Sequence, residues 1–295
     1  MLEEGQLILM KLIEGYGFCK MGKRILNSSY LGADKKSAKS GLYGLDKHYL
    51  ERLNGNFLAP SSQEGAATDP YFSNVKLLLH MDSDFSDSSS GSKSATENGS
   101  PTINTTTKKF GAGAGDFGSG DDLQYADSAD WDIGISNENF TIEFWLYLTA
   151  TSGIRVFFGY GAGNNWGSTG HQYVSFISGG TFYFQYYNGT GSPSAASFAV
   201  SGNISTSVWQ HVAYVYDSTS TNKFAIFIDG ARKQISTSGG FTAVGGTPAF
   251  RVADSGAGSY SLNGILDDFR FTKGIARYDP DSTTLTVPTE AFPDS

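Results

Sequence analysis

Between Phe140 and Leu148 apolar and aromatic residues alternate with a period of two. Phe140, Ile142, Phe144, Leu146 and Leu148 share one face, and Thr141, Glu143, Trp145 and Tyr147 the other, which predicts a β-strand. The same period predicts strands over Val75–His80, Ile154–Tyr160, Gln172–Ile177, Thr181–Tyr187, Ala249–Ala253 and Ile265–Thr272. Trp209–Tyr216 and Phe224–Ile228 are expected to pair across the Asp217–Asn222 turn. Asp229-Gly230 then signals a tight hairpin into Ala231–Ile235. Many short strands with hardly any helical pattern predict an all-β antiparallel sandwich or barrel over residues 75–295. No repeat of fixed period stands out, which disfavours propellers and solenoids.

Ahead of this domain the pattern changes. Residues 1–32 are weakly patterned, and Met10 and Met21 are alternative starts beside Met1. Over residues 33–58, Leu42, Leu45, Tyr49 and Leu53 recur at helical spacing, with Ser40 as cap and Asn54-Gly55-Asn56 as terminator. This helix either docks on something larger or serves as a free functional element; alone it has too little core to fold. Ala59–Asp69 reads as a linker, so residues 1–74 form a docking segment. Met81–Pro101, crowded with Ser, Asp and Gly, reads as a long surface loop.

Composition agrees with a strand-and-turn protein: 14% aromatic, 37 Gly and only 17% charged among 295 residues. The net charge of −8 and cations scattered apart from the Lys35–Lys36–Lys39 cluster argue against nucleic acid as a partner. Cys19 is the single cysteine, so no intrachain disulfide is expected. No stretch approaches about 20 apolar residues, so membrane insertion is not expected. No basic start, long apolar run and cleavage site follow one another, so no cleaved secretory signal is expected, and an extracellular role implies export by assembly or lysis.

Four ordered blocks resemble laminin-G-like, concanavalin A-like jelly-roll domains. They are the Phe140-Thr141-Ile142-Glu143-Phe144-Trp145 strand, the Trp209-Gln210-His211-Val212-Ala213 strand with Phe224–Gly230, the closing Leu262–Arg270 strand, and the Gly-rich lead Phe110–Tyr125. The ending, Phe271–Tyr278 with Val287–Pro293, resembles the tail of such domains in bacteriophage virion proteins. The resemblance implies a virion-surface protein made in the host cytoplasm, a tail, fibre or capsid-decoration component anchored by its N-terminal segment as a homo-oligomer. Its sandwich would bind a host-surface glycan or a neighbouring virion subunit, or act purely structurally.

Related jelly rolls include glycosidases, which need two carboxylates about 5–5.5 Å apart for retaining hydrolysis. After Val75 the glutamates are Glu97, Glu138, Glu143 and Glu290, and only Glu143 lies within a strand, without an acidic same-face neighbour. No enzymatic activity is therefore expected, with a polysaccharide-cleaving enzyme as the last alternative. Asp267 and Asp268 should point to opposite faces, with Arg270 an ion-pair partner for Asp268. Ca²⁺ needs six to eight oxygens; Asp82, Asp84, Asp121 and Asp122, with Asp87 and Asp116, are the candidate ligands, since relatives carry calcium at the sandwich rim. His80, His171 and His211 are not spaced as metal ligands, and His211 is expected to hydrogen-bond in or near the core. Sequons at Asn27, Asn98, Asn104, Asn139, Asn188 and Asn203 carry little weight in so Ser/Thr-rich a chain.

The candidate ligand site is the Gly161–Gly170 loop. Trp166 among glycines and asparagines offers a ring for sugar C–H groups, and Asn164 and Asn165 offer hydroxyl partners. Tyr186, Tyr187 and Asn188 at the next hairpin extend the patch. Trp166 alternatively folds over a sheet edge or fills a subunit interface.

Overall fold

The computed structural model describes residues 68–161, 171–187, 195–201, 204–237, 241, 248–256 and 260–295. The helix expected over 33–58 lies outside them. Two antiparallel sheets face each other. The first contains β1 (Val75–Leu79), β3 (Thr102–Asn104), β4 (Ala114–Phe117), β6 (Phe140–Tyr147), β11 (Trp209–Tyr216), β12 (Phe224–Ile228), β13 (Ala231–Ser236) and β15 (Gly264–Lys273). Its order is β13-β12-β11-β6-β15-β4-β3, with β1 beside the second half of β15. The second contains β2 (Thr96–Asn98), β5 (Asp122–Tyr125), β7 (Ile154–Gly161), β8 (His171–Ser178), β9 (Thr181–Tyr187), β10 (Ala195–Ser201) and β14 (Ala249–Val252), ordered β10-β9-β8-β7-β14-β5-β2. Among the described residues no helix is long and apolar enough to cross a membrane.

Every strand expected from the period-two pattern is present to within a residue or two at its ends. The structure adds β2, β3, β4, β5 and β10. β2 lies inside the stretch expected to be a loop, because a three-residue strand is too short to show alternation. The Asp229-Gly230 hairpin forms as expected. Ile228 pairs with Ala231, and both turn residues have positive φ (50° and 75°), which a two-residue turn of type I′ requires.

The core between the sheets is aromatic. Phe144 stacks on Phe269 (5.6 Å), Trp131 on Phe250 (4.6 Å) and Phe184 on Phe224 (5.1 Å), all fully buried. In β7 a register shift between Val156 and Phe158 lets Phe157 and Phe158 both enter this core.

The outward face of the first sheet is also covered. The chain after β15 runs back over it, and Ala276, Tyr278 and Leu285 pack on Ala213, Val215, Ala225 and Phe227. Phe292 packs with Val75 and Leu78. Residues 68–74 join the same layer: Asp69 N–H bonds Ser295 O, and its carboxylate receives Arg277 in two contacts of 2.6 and 3.0 Å. The sandwich therefore takes in residues ahead of the boundary expected at 75.

Candidate functional site

Glu143 stands in the middle of β6 on the outward face, beneath the returning tail, and is fully buried. Its carboxylate accepts from Arg270 Nη2 (2.7 Å) and Nε (3.1 Å), Tyr278 Oη (2.7 Å) and His211 Nε2 (3.2 Å). Burial by itself would raise its pKa. The Arg270 guanidinium, then His211 and Tyr278, outweigh burial and hold the carboxyl far below the usual range. Arg270 also lies over the Phe292 ring (3.7 Å) and 3.4 Å from Asp69. Glu143 is thus an ionised, saturated node that ties β6, β11, β15 and the tail together. His211 is buried in this layer, as the sequence led one to expect.

The Asp267-Asp268 pair needs correction. Asp267 lies opposite Trp145 and Arg270 opposite Glu143, so three residues of β15 span two of β6. The extra residue is a bulge at Asp268, whose φ is +52°. It reverses the alternation, turning Phe269 into the core and placing Arg270 on the face of Asp267. Arg270 therefore pairs with Glu143 and not with Asp268. Asp268 instead holds His80 Nδ1 (2.7 Å) and Phe292 N–H (2.6 Å), and its hydrogen bond raises the pKa of His80.

The expected calcium ligands are not gathered either. Asp82 takes the N–H groups of Ala112 and Gly113; Asp84, exposed, takes that of Ser86. Asp121 accepts from Ser100 and Gly118, while Asp122 makes a two-point contact with Arg251 (2.8 and 3.0 Å). Asp87 organises its own loop through Leu78, Ser89 and Lys93. A polar cavity of about 400 Å³ lies beside it, lined by Asp84, Ser86, Lys93 and Glu97 among others. Among the described residues no three acidic, histidine or cysteine side chains converge as a metal site. In a Ser- and Gly-rich chain the aspartates meet the demand of the turns for acceptors.

Of the expected sugar-binding residues, Trp166, Asn164, Asn165 and Asn188 lie outside the described residues. Tyr187 pairs with Ala195 in β9, and its side chain is likewise not described. Tyr186 belongs to the core: it is 5% exposed and stacks on Phe241 (4.4 Å) and Phe198 (5.5 Å). Strand alternation sends it inward with Phe182 and Phe184, so it is not part of a surface patch.

The tail covers only one end of the outward face. At the other end Trp145 and Tyr147 of β6 lie opposite His211 and Trp209 of β11. Tyr147 and Trp209 are partly exposed, 5.5 Å apart, and among the described residues neither Tyr147 Oη nor Trp209 Nε1 has a hydrogen-bond partner. Trp145 is nearly buried under Lys109, whose ammonium lies 3.9 Å from the ring centre, and Phe110, which meets it edge-on at 5.7 Å. Asp267 anchors that loop by accepting from Lys109 N–H (2.7 Å) and Phe110 N–H (3.1 Å). Burial pushes its pKa up to about 7, opposed by those two N–H groups. On the far side the exposed Asp229 accepts from His211 N–H (2.9 Å) and Gln210 Nε2 (2.8 Å). Partly exposed rings bordered by an exposed carboxylate can stack on C–H groups and meet hydroxyls. The sequence does carry this signal: Trp145 and Tyr147 are aromatic at positions of β6 that should be polar. It went unread because burial by a distant loop and a distant tail decides which outward residues stay accessible.

A two-sheet antiparallel sandwich of this order defines a jelly-roll domain of the lectin class. The chain belongs to the concanavalin A-like lectin/glucanases superfamily, whose laminin-G-type family model matches residues 117–275. No curated protein matches the sequence. Among solved structures, the chain is similar to the binding domain of Paraclostridial Mosquitocidal Protein 1, with TM-score 0.53, 13% identity, and 70% of this chain and 50% of that one covered. Domain 4 of AbnA, an extracellular arabinanase from Geobacillus stearothermophilus solved with arabinotriose, gives TM-score 0.51 and 16% identity over 69% of this chain and 94% of that one. The binding domain of botulinum neurotoxin serotype D gives TM-score 0.51 and 14% identity over 69% and 49%. The chain thus spans about half the length of the toxin binding domains it matches. At these identities the likeness shows the fold.

Proposed function

We propose that this protein is a non-enzymatic virion-surface protein whose sandwich binds a host-surface glycan. The observation that carries the reading is the partly exposed Tyr147–Trp209 pair, without hydrogen-bond partners among the described residues, beside the exposed Asp229 that accepts from His211 N–H. Aromatic faces favour the C–H side of a sugar, and the carboxylate suits its hydroxyls. The arabinanase domain solved with arabinotriose has the same fold, which is compatible with this use. Glu143, the one glutamate within a long central strand, is ionised, sealed and bonded to four donors, so it is not placed to serve as acid or base. The virion setting rests on the resemblance of Phe271–Tyr278 and Val287–Pro293 to phage domain tails. A homo-oligomer anchored by residues 1–74 would raise weak single-site binding through multivalency.

A second reading, docking to a neighbouring virion subunit, is favoured by Ile235, 40% exposed on β13 at one end of the sheet order. A bacterial glycan array probed with the full chain separates the two. The glycan reading expects binding that falls at least about tenfold in Trp209→Ala, roughly the 1.4 kcal/mol a stacked ring contributes. Trp166→Ala reports whether the loop singled out by the sequence also takes part in binding. A silent array would favour subunit docking. Release of reducing ends would establish an enzyme and overturn the proposal.

A further inference from the structure

Beside the partly exposed aromatic pair, two buried nitrogens have no partner among the described residues: Trp145 Nε1 and His211 Nδ1. Their residues are direct cross-strand neighbours on the same face, with ring centres 5.4 Å apart. Trp145 is 4% exposed and His211 fully buried. The indole N–H can only donate. The imidazole is oriented by Glu143, which accepts from Nε2, and the tautomer with its proton on Nε2 presents Nδ1 as a bare acceptor. A buried polar atom left unmet loses its hydration without compensation.

One kind of group satisfies both atoms at once. A carboxylate can only accept, and an ammonium can only donate; a hydroxyl takes the indole N–H on its oxygen and gives its own proton to the imidazole. We propose that Trp145 Nε1 and His211 Nδ1 form a two-point subsite for a single hydroxyl, held by water in the free protein and by one hydroxyl of a bound saccharide. The second half rests on the glycan reading above. His211 stands two residues from Trp209 on the same face of β11, about 6.5–7 Å along the strand. A sugar ring stacked on Trp209 therefore has the subsite one strand step away. Lys109 and Phe110 roof it, and Asp229 borders it through the His211 N–H. Such a subsite selects neutral hydroxyls and rejects a carboxylate at that position, because no second donor is there to receive it.

The test uses the full ¹⁵N-labelled chain. In the free protein the Trp145 indole N–H should show a cross-peak to a long-lived water, and His211 Nδ1 the ¹⁵N shift of a hydrogen-bonded acceptor. Absence of the water signal overturns the subsite without relying on a variant. Maltotriose, cellotriose and xylotriose are then titrated in. The sugar that binds should abolish the water cross-peak and move the indole resonance. Trp145→Phe, which keeps a ring and removes the N–H, should weaken that binding about fivefold to tenfold with cooperative unfolding retained. Binding that is lost in Trp209→Ala but leaves the water peak untouched would keep the glycan reading and sink the subsite. No binding of any of the three sugars would count against its saccharide role, whatever the water signal.

Discussion

Glu143→Gln isolates the node under the tail. The substitution keeps the shape of the side chain and removes its charge. The carboxylate now meets four donors at 2.7–3.2 Å. A glutamine offers one acceptor oxygen and turns an NH₂ group toward donors that have nowhere else to go. Arg270, 6% exposed, keeps Asp69 at 3.4 Å as its remaining carboxylate. Removing one partner of a buried pair costs about 3–5 kcal/mol, and the surviving Asp69 contact places the expectation at about 3 kcal/mol. For a domain of this size that lowers Tm by roughly 6–12 °C. Urea unfolding at pH 7 should show a lower midpoint at unchanged m. The pH dependence gives an independent readout. A carboxyl whose pKa is depressed on folding contributes stability above its unfolded pKa, about 4.3, and that contribution is lost as pH falls below it. The wild type should therefore lose more stability than the variant between about pH 5 and pH 3. Hydrogen exchange should also rise at Arg277 and Phe292, whose amides bond Thr141 and Asp268 within the tail's contacts. A loss under about 1 kcal/mol, with parallel acid profiles, would show that apolar packing and not this node holds the tail.

Three further outcomes follow from the geometry. Asp267→Asn should flatten a slope of opposite sign. With its pKa raised to about 7 by burial, Asp267 gives stability that is fully present below its unfolded pKa and lost as pH rises through 7, at about 1.4 kcal/mol per pH unit. Urea midpoints from pH 4.5 to 8 compare the two proteins, and equal slopes would refute the assignment. Gly230→Ala should destabilise by roughly 1–3 kcal/mol, because φ is +75° and the new Cβ would lie 2.8 Å from Leu285 O and 2.9 Å from Val287 Cγ2. Limited proteolysis should then cut the tail faster, and an unchanged rate would count against tail docking at the hairpin. Phe144→Ala removes a ring stacked on Phe269 in the middle of the core and should cost about 3–5 kcal/mol in a chemical melt.

How much was legible depends on where each residue's partner lies. Phe140–Tyr147 and Trp209–Tyr216 announce themselves as strands because alternation is local and needs no knowledge of the partner. Asp229-Gly230 does so because two positive φ values in succession restrict which residues can occupy them. The outward face was harder. Sequence spacing pairs Arg270 with Asp268 and leaves Glu143 without an acidic same-face neighbour, yet Glu143, Arg270 and Tyr278 form one hydrogen-bonded cluster. Arg270 pairs with Glu143 and not with Asp268 because one inserted residue in β15 shifts every later side chain. Tyr186 resembled a ligand contact by its neighbours in sequence and is a core residue by its strand parity.

The sequence by itself determined the period-two strands, the hairpin, the aromatic core face and the membership of the lectin-like class, since each is written within a few neighbouring residues. Tertiary structure alone decided that residues 275–292 fold back over the first sheet. It also decided that Asp69 reaches Arg277, and that Trp145 Nε1 and His211 Nδ1 are buried without partners among the described residues. Those facts depend on contacts between residues far apart in sequence, where burial and register, and not local preference, set which polar group is met.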